Sequence, residues 1–180
     1  MERFVLLLLG IVLLGCNNAK HKDNSLNQLT IVDSIDFKVD KSQLAILQLD
    51  TTQAWTFKNC KRADLSDQEL VIIEKVLMDC IGFYNTQQLN HFRKLDSIYP
   101  NRNFDSKQFT IELKDYKRQY IPVINMSGEK EVWVNCFCQT MGHDWKTEEV
   151  FILDGGNCFF NLKINIDTKK YYDFMVNGEA

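Results

Sequence analysis

The sequence predicts an α+β fold in which one long helix packs on an antiparallel sheet of about four to five strands, in the order β-α-β-β-β-β. Apolar residues recur at helical spacing in one stretch after Ser66, whereas after Pro100 apolar and polar residues alternate in several short segments. With 180 residues, 12% of them aromatic, and only 2 prolines, the chain can bury one core of ordinary size.

The first predicted element is a strand at 43–50, "QLAILQLD", in which Leu44 and Leu49 are available for a core. Residues 29–37 alternate more weakly and lead into this strand. Trp55 and Phe57 continue the alternating pattern after a polar break.

The helix is predicted from its own start signal. Ser66 followed by Glu69 forms a capping box, in which each side chain satisfies a free backbone N–H of the first turn. An apolar stripe follows at spacings of three and four residues, and the pattern continues to Ile98, just before Pro100. The stripe consists of Leu70, Ile73, Leu77, Cys80, Ile81 and Tyr84.

The remaining strands are predicted from alternation and from turn residues. The Gly-Gly pair of 154–157 suits a two-residue hairpin turn, which would place Leu153 opposite Cys158 and Phe151 opposite Phe160. A turn at "NMSGEK" and another at "DTKK" separate further strands. The predicted strand segments are 109–113, 120–124, 131–138, 148–154, 158–166 and 171–178.

The amino terminus predicts an export signal. Arg3 precedes an apolar run from Phe4 to Leu14, which is too short to cross about 30 Å of hydrocarbon as a stable helix. The run ends in Leu13-Leu14-Gly15-Cys16, which resembles the lipobox of bacterial lipoproteins. That resemblance implies cleavage before Cys16 and diacylation of its sulfur, so that lipid holds the protein at the membrane.

This resemblance divides the chain into a signal peptide at 1–15, a lipid-anchored tether and lead-in at 16–40, and one α+β domain at 41–180. Asn17, rather than Asp, follows the lipidated cysteine, which by the sorting rule of these lipoproteins implies the outer membrane, facing the periplasm. The net charge of −3 argues against nucleic acid as a partner.

Two further resemblances concern the folded domain. Its Gly-Gly, Phe-Phe and Asn-Gly pattern is similar to the ends of small exported lipoproteins of the Bacteroidota. The predicted order of elements resembles the cystatin-like group of folds, which hosts inhibitors, enzymes and binding modules, and therefore implies no single activity. The Gln-x-Val-x-Gly loop of inhibitory cystatins is absent from the sequence.

The cysteines leave several pairings open. Removing Cys16 from the 6 cysteines leaves five, so at least one thiol has no partner within the chain. Cys136 and Cys138 lie on one face of a predicted strand, and either could pair with Cys158 on a neighbouring strand. Cys60 could pair with Cys80 if the segment before the helix folds back along it.

Cys136, Cys138, His143 and Cys158 could instead hold a metal. Thiolate and imidazole are the ligands that zinc or copper(I) takes. The spacing C-x-C-x4-H lacks the usual C-x2-C knuckle, and cysteines pack readily in apolar cores. Buried thiols or disulfides are therefore favoured over a metal site, and no cofactor is predicted.

The sequence favours a binding or structural role over catalysis. It contains no G-x-S-x-G elbow, Walker-type loop or H-E-x-x-H motif, and no catalytic residue is predicted. Trp133, Phe137 and Phe159 project away from the helix side, where they form a candidate binding face for a protein or small molecule, unless the amino-terminal segment or Trp55 covers them. The alternative is a metal-binding or thiol-based envelope protein that uses the four residues above.

Overall fold

The computed structural model describes residues 37–50 and 56–178. It has one helix and a six-stranded sheet, so the predicted α+β class and its single long helix are confirmed. The signal peptide, Cys16 and Trp55 lie outside the described residues. The elements are β1 (Leu44–Ile46), β2 (Lys61–Arg62), α1 (Asp67–Ile98), β3 (Lys117–Ile124), β4 (Lys130–Phe137), β5 (Phe159–Asn165) and β6 (Lys170–Val176).

Helix α1 begins at the predicted capping box. The Ser66 hydroxyl accepts a hydrogen bond from the Glu69 N–H, and the Glu69 carboxylate accepts one from the Ser66 N–H at 2.7 Å. The helix then continues without interruption to Ile98, before Pro100, as predicted. No helix within residues 37–50 and 56–178 is both long enough and apolar enough to cross a bilayer.

The sheet has the order β1-β3-β4-β5-β6, and β2 shares the outer edge of β3 with β1. The sheet is mixed rather than wholly antiparallel, because β1 pairs in parallel with β3, with Leu44 opposite Arg118. Helix α1 lies between these two strands in the chain, and such a crossover carries the chain back to the end of the sheet at which β1 began, so that β3 runs in the same direction. The pairs from β3 to β6 are antiparallel, as predicted.

One face of the sheet packs against the first half of α1. Val132, Val134 and Cys136 of β4 are buried there, with Ile73 and Leu77 of the helix. This is the face on which alternation placed the three β4 residues. The opposite face, which we call the outer face, therefore carries Trp133, Asn135 and Phe137 of the same strand.

The predicted strand at 109–113 is wrong. Asn85 of α1 takes both backbone groups of Ile111: its Nδ2 donates to the Ile111 carbonyl at 2.9 Å, and its Oδ1 accepts from the Ile111 N–H at 2.8 Å. Short 3₁₀ turns stand on either side, at Ser106–Gln108 and Leu113–Asp115. The apolar side chains therefore reach the core from an irregular segment.

The predicted strand at 148–154 and its hairpin are also wrong. Phe160 of β5 pairs with Cys136 and Val176, so neither edge of β5 is left for residues 148–154. Gly155 and Gly156 do have positive φ, at 88° and 58°. A side chain at Gly155 would also meet the Phe159 ring at 2.8 Å, so the glycine serves a tight turn into β5 rather than a two-residue hairpin.

Candidate functional site

The outer face is largely covered. Trp133 is buried beneath Leu49 and Phe57, and Phe137 and Phe159 are buried beneath Val150. Trp133, Phe137 and Phe159 therefore do not form an exposed face. The amino-terminal segment covers one part of it, which is an alternative that the sequence left open, and a later segment covers the other. The sheet has apolar layers on both faces, which is why its central strands carry apolar residues on both sides.

The later segment, residues 145–153, crosses the outer face without forming a strand, and we call it the strap. Its backbone bonds to two buried amide side chains. Gln119 Nε2 donates to the carbonyls of Trp145 at 2.8 Å and Glu148 at 2.5 Å, and Gln119 Oε1 accepts from the Val150 N–H at 3.0 Å. Asn135 Nδ2 donates to the Val150 carbonyl at 2.7 Å. These bonds replace the ladder that a strand would have provided.

The downstream end of the strap is held by the end of β6. Asn177 Nδ2 donates to the carbonyls of Ile152 at 2.6 Å and Asp154 at 3.0 Å. The Gly156 N–H then donates to the Gly178 carbonyl at 2.9 Å. Residues 152–156 therefore run beside the end of β6 while remaining outside the sheet.

A disulfide joins Cys138, just after β4, to Cys158, just before β5, with a sequence separation of 20. This confirms one of the pairings that the sequence left open. Cys60, Cys80 and Cys136 are free thiols, so the pairing of Cys60 with Cys80 that the sequence left open is not formed. Burial raises the pKa of the Cys80 thiol to about 12, and it also raises the pKa of Cys136, so neither is an ionised nucleophile at neutral pH.

The four candidate metal ligands do not converge. Cys138 and Cys158 are oxidised together, while Cys136 is buried on the helix side of the sheet. His143 Nδ1 instead lies 3.9 Å from Glu148 Oε2 on the loop. In the part of the chain that the structure describes, no three His, Cys, Asp or Glu residues form a group that could hold a metal ion.

An opening remains on the outer face, between the strap and the ends of β5 and β6, and we call it the outer groove. It is a cavity of about 320 Å³, at the lower end of the size range of small-molecule sites. Its rim is apolar and exposed: Phe151 is 54% exposed, Leu153 78% and Met175 61%. The lining residues are Trp133, Asn135, Val150, Phe151, Ile152, Leu153, Phe159, Phe160, Asn161, Met175, Val176, Asn177 and Gly178.

None of the residues that line the outer groove is ionisable, although 25% of the chain is charged. The polar side chains among them are three amides, Asn135, Asn161 and Asn177. Amides can orient a ligand by hydrogen bonds but cannot exchange protons with it at neutral pH. The groove therefore suits binding of an uncharged group whose larger part is apolar.

A second recess, of about 520 Å³, lies between residues 47–50 and the start of the strap. Asp50, Glu148 and Glu149 line it, so its character is acidic. Burial raises the pKa of the Glu149 carboxyl, and the nearby Asp50 charge raises it further. The recess is acidic and the outer groove is uncharged because different parts of the strap line them. Residues 147–149, which are polar, line the recess, and residues 150–153, which are apolar, line the groove.

Sequence reasoning found two residues of the outer groove, Trp133 and Phe159, but missed the amides that build it. The available signal was the position of Asn135, an uncharged polar residue on the same strand face as Trp133 and Phe137. An amide between two large aromatic residues on a buried face needs hydrogen-bond partners from another segment.

No protein-family model matches the chain, and no curated protein or solved structure shows significant similarity to it.

Proposed function

We propose that this protein is a lipid-anchored cell-envelope protein that binds an uncharged, largely apolar ligand in the outer groove and carries out no catalysis there. The observation that supports this proposal is the exposed apolar rim of Phe151, Leu153 and Met175 around a groove without ionisable side chains. Large apolar side chains that remain exposed around a cavity are typical of a binding site.

The chemistry of the lining favours binding over catalysis. General acid–base catalysis requires a group that titrates near the working pH, and nucleophilic catalysis requires an activated hydroxyl, thiol or amine. The side chains that line the outer groove are apolar or amide. Lipid at Cys16 would hold the domain beside the membrane, where apolar molecules concentrate.

Photolabelling tests this proposal. A medium-chain alcohol that carries a diazirine is a neutral, largely apolar probe, and it should label residues of the strap and of β6 in the purified protein. Met175→Asp places a charge on the rim, so labelling of residues 151–153 should fall at least about tenfold, because an unpaired charge is costly to desolvate.

Met126→Asp is the matched control, because Met126 is an equally apolar residue, 80% exposed, that does not line the groove. It should leave the labelling unchanged. Equal labelling of both variants would show that the probe binds no particular site. Stoichiometric zinc or copper in the purified protein, lost on Cys138→Ser, would instead support the metal-binding alternative.

A further inference from the structure

We propose that the Cys138–Cys158 disulfide controls how often the outer groove opens, so that a thiol reductant accelerates ligand exchange. This inference rests on the proposed function, because it concerns the regulation of the same site. It starts from a single juxtaposition: the segment that forms the outer wall of the groove belongs to the loop whose two ends the disulfide joins.

The two sides of this loop are held unequally. On the Cys158 side, Asn157 Nδ2 donates to the Gln108 and Thr110 carbonyls at 3.0 and 3.1 Å, and the Asn157 carbonyl accepts from the Tyr116 hydroxyl at 2.9 Å. On the Cys138 side, the backbone bond of His143 runs to Thr140, within the loop itself. The disulfide, together with the 2.9 Å hydrogen bond from the Cys138 N–H to the Cys158 carbonyl, therefore ties the start of residues 139–144 to the body of the protein.

The disulfide is accessible to a reductant. Cys138 is exposed and Cys158 is half-buried, and Cys138 lines a recess of about 450 Å³ beside Tyr116 and Asn157. Competing thiol exchange within this part of the chain is disfavoured, because Cys136 is fully buried in the core between the helix and the sheet. The exposed Cys138 sulfur is therefore the one that an incoming thiolate reaches first.

The redox step requires a dithiol. One thiolate of the dithiol attacks Cys138 Sγ, the Cys138–Cys158 bond breaks, and Cys158 leaves as a thiolate. The second thiol of the reductant, as its thiolate, attacks the mixed disulfide, releases Cys138 and closes the reductant's own disulfide. Two electrons pass to the protein, the dithiol gives up two protons, and the two cysteine thiolates take up two protons.

Reduction would leave the strap attached by noncovalent contacts alone. These are the amide hydrogen bonds, the bonds from Lys146 Nζ to the Ser42 and Leu44 carbonyls, and the apolar packing of Val150. Gln119, Asn135 and Asn177 would still hold residues 145–154, so the groove would persist as the major state. The open state, however, would gain conformational freedom. Its loop ends would be joined only by the hydrogen bond from the Cys138 N–H to the Cys158 carbonyl and by the end of the β4–β5 ladder, which can fray. The populated fraction of open loop should rise, and ligand exchange with it.

Hydrogen exchange on the full chain in lipid nanodiscs tests this inference. Treatment with dithiothreitol should accelerate amide exchange of residues 150–153 at least about tenfold, while amides of Val134 and Leu162 in the sheet exchange as before. The double variant Cys138→Ser/Cys158→Ser should reproduce this pattern without reductant. Cys60→Ser, which removes a free thiol, should respond to dithiothreitol as the natural protein does.

Exchange of residues 150–153 that changes less than about twofold on reduction would overturn the inference. Equal acceleration at Val134 and Leu162 would also overturn it, because the disulfide would then stabilise the whole fold rather than the loop. The photoprobe separates the two proposals. If the oxidised protein takes up no probe but its strap still opens on reduction, the proposed ligand is wrong and the redox control stands.

Discussion

Glu74, Arg118 and Tyr120 form a charged cluster inside the core between the helix and the sheet. The Tyr120 hydroxyl donates to Glu74 Oε1 at 2.5 Å, and Arg118 Nε lies 3.0 Å from the same oxygen. Arg118 Nε is not aligned for a hydrogen bond, so its contact with Glu74 is an attraction of charges. Arg118 Nη1 donates to the Leu113 carbonyl at 3.0 Å. Glu74 and Arg118 are both buried, so removal of either one would leave the charge of the other buried without a countercharge.

Glu74→Leu should therefore lower the free energy of unfolding by about 3–5 kcal/mol, because it leaves the Arg118 guanidinium buried without a countercharge. Urea denaturation followed by circular dichroism measures the loss. Glu74→Leu combined with Arg118→Met should recover much of it. Lys41→Ala breaks the exposed ion pair with Asp67 and should change stability little. Equal losses for Glu74→Leu and Lys41→Ala would contradict the role of burial.

Glu149 should make the protein less stable as the pH rises. Burial raises its pKa above the ordinary value of 4.5, the Asp50 charge raises it further, and Glu149 Oε1 is buried without a hydrogen-bond partner. The folded state then holds this proton more tightly than the unfolded state does. Stability is consequently lost as the pH rises from 4.5 through the folded-state pKa.

Glu149→Gln should therefore be more stable than the natural protein at neutral pH and equally stable well below pH 4.5. Urea denaturation at the two pH values measures the difference. Glu148→Gln, at the adjacent and largely exposed carboxylate, is the matched control and should show no such gain. A gain that persists at low pH would show that the amide acts by something other than the charge.

At the scale of elements, the sequence predicts a helix or a turn when the hydrogen bonds that stabilise it join residues only a few positions apart in the chain. The cap of α1 depends on Ser66 and Glu69, three residues apart. The turn between β3 and β4 depends on Asn125, whose side chain accepts from the N–H groups of Ser127 and Glu129. The strap instead depends on the contact of Gln119 with Val150, which are 31 residues apart. A strand and a strap can both show the alternation of apolar and polar residues seen in 148–154, so the sequence alone could not tell which of the two structures this segment forms.

Gln119→Met should loosen the strap while it leaves the sheet intact. Methionine fills a similar volume, but the Trp145 and Glu148 carbonyls and the Val150 N–H would lose their shared partner. Amide exchange of residues 145–150 should accelerate at least about tenfold, and photolabelling in the outer groove should weaken.

Gln87→Met, at an exposed helix position, makes the same chemical change away from the strap and should alter neither measurement. Unchanged exchange of the strap in Gln119→Met would show that apolar packing of Val150 on Phe137 and Phe159 is sufficient to hold it.

At the scale of the whole molecule, the described residues form three layers, with the sheet in the middle. Helix α1 covers one face, and the amino-terminal segment and the strap cover most of the other. The sequence predicted the helix side correctly, because a single amphipathic stripe determines it. It left coverage of the outer face by the amino-terminal segment open and did not predict the strap, because an irregular segment that is held by distant side chains has no local pattern. The outer groove therefore includes two of the predicted aromatic residues, Trp133 and Phe159. Its outer wall is the strap, which no local sequence pattern indicates.

The proposed lipid anchor at Cys16 would determine where this molecule meets an apolar ligand, and substitution of this cysteine tests the proposal. Cys16→Ala should abolish incorporation of radiolabelled fatty acid and move the protein from the membrane fraction to the soluble fraction, since the remaining chain would lack its acyl groups. Cys60→Ser removes a thiol of the folded domain and should leave the labelling unchanged. Continued labelling of Cys16→Ala would contradict the lipobox interpretation. Loss of the anchor should leave photolabelling of the outer groove intact, because the groove is built entirely from residues 133–178.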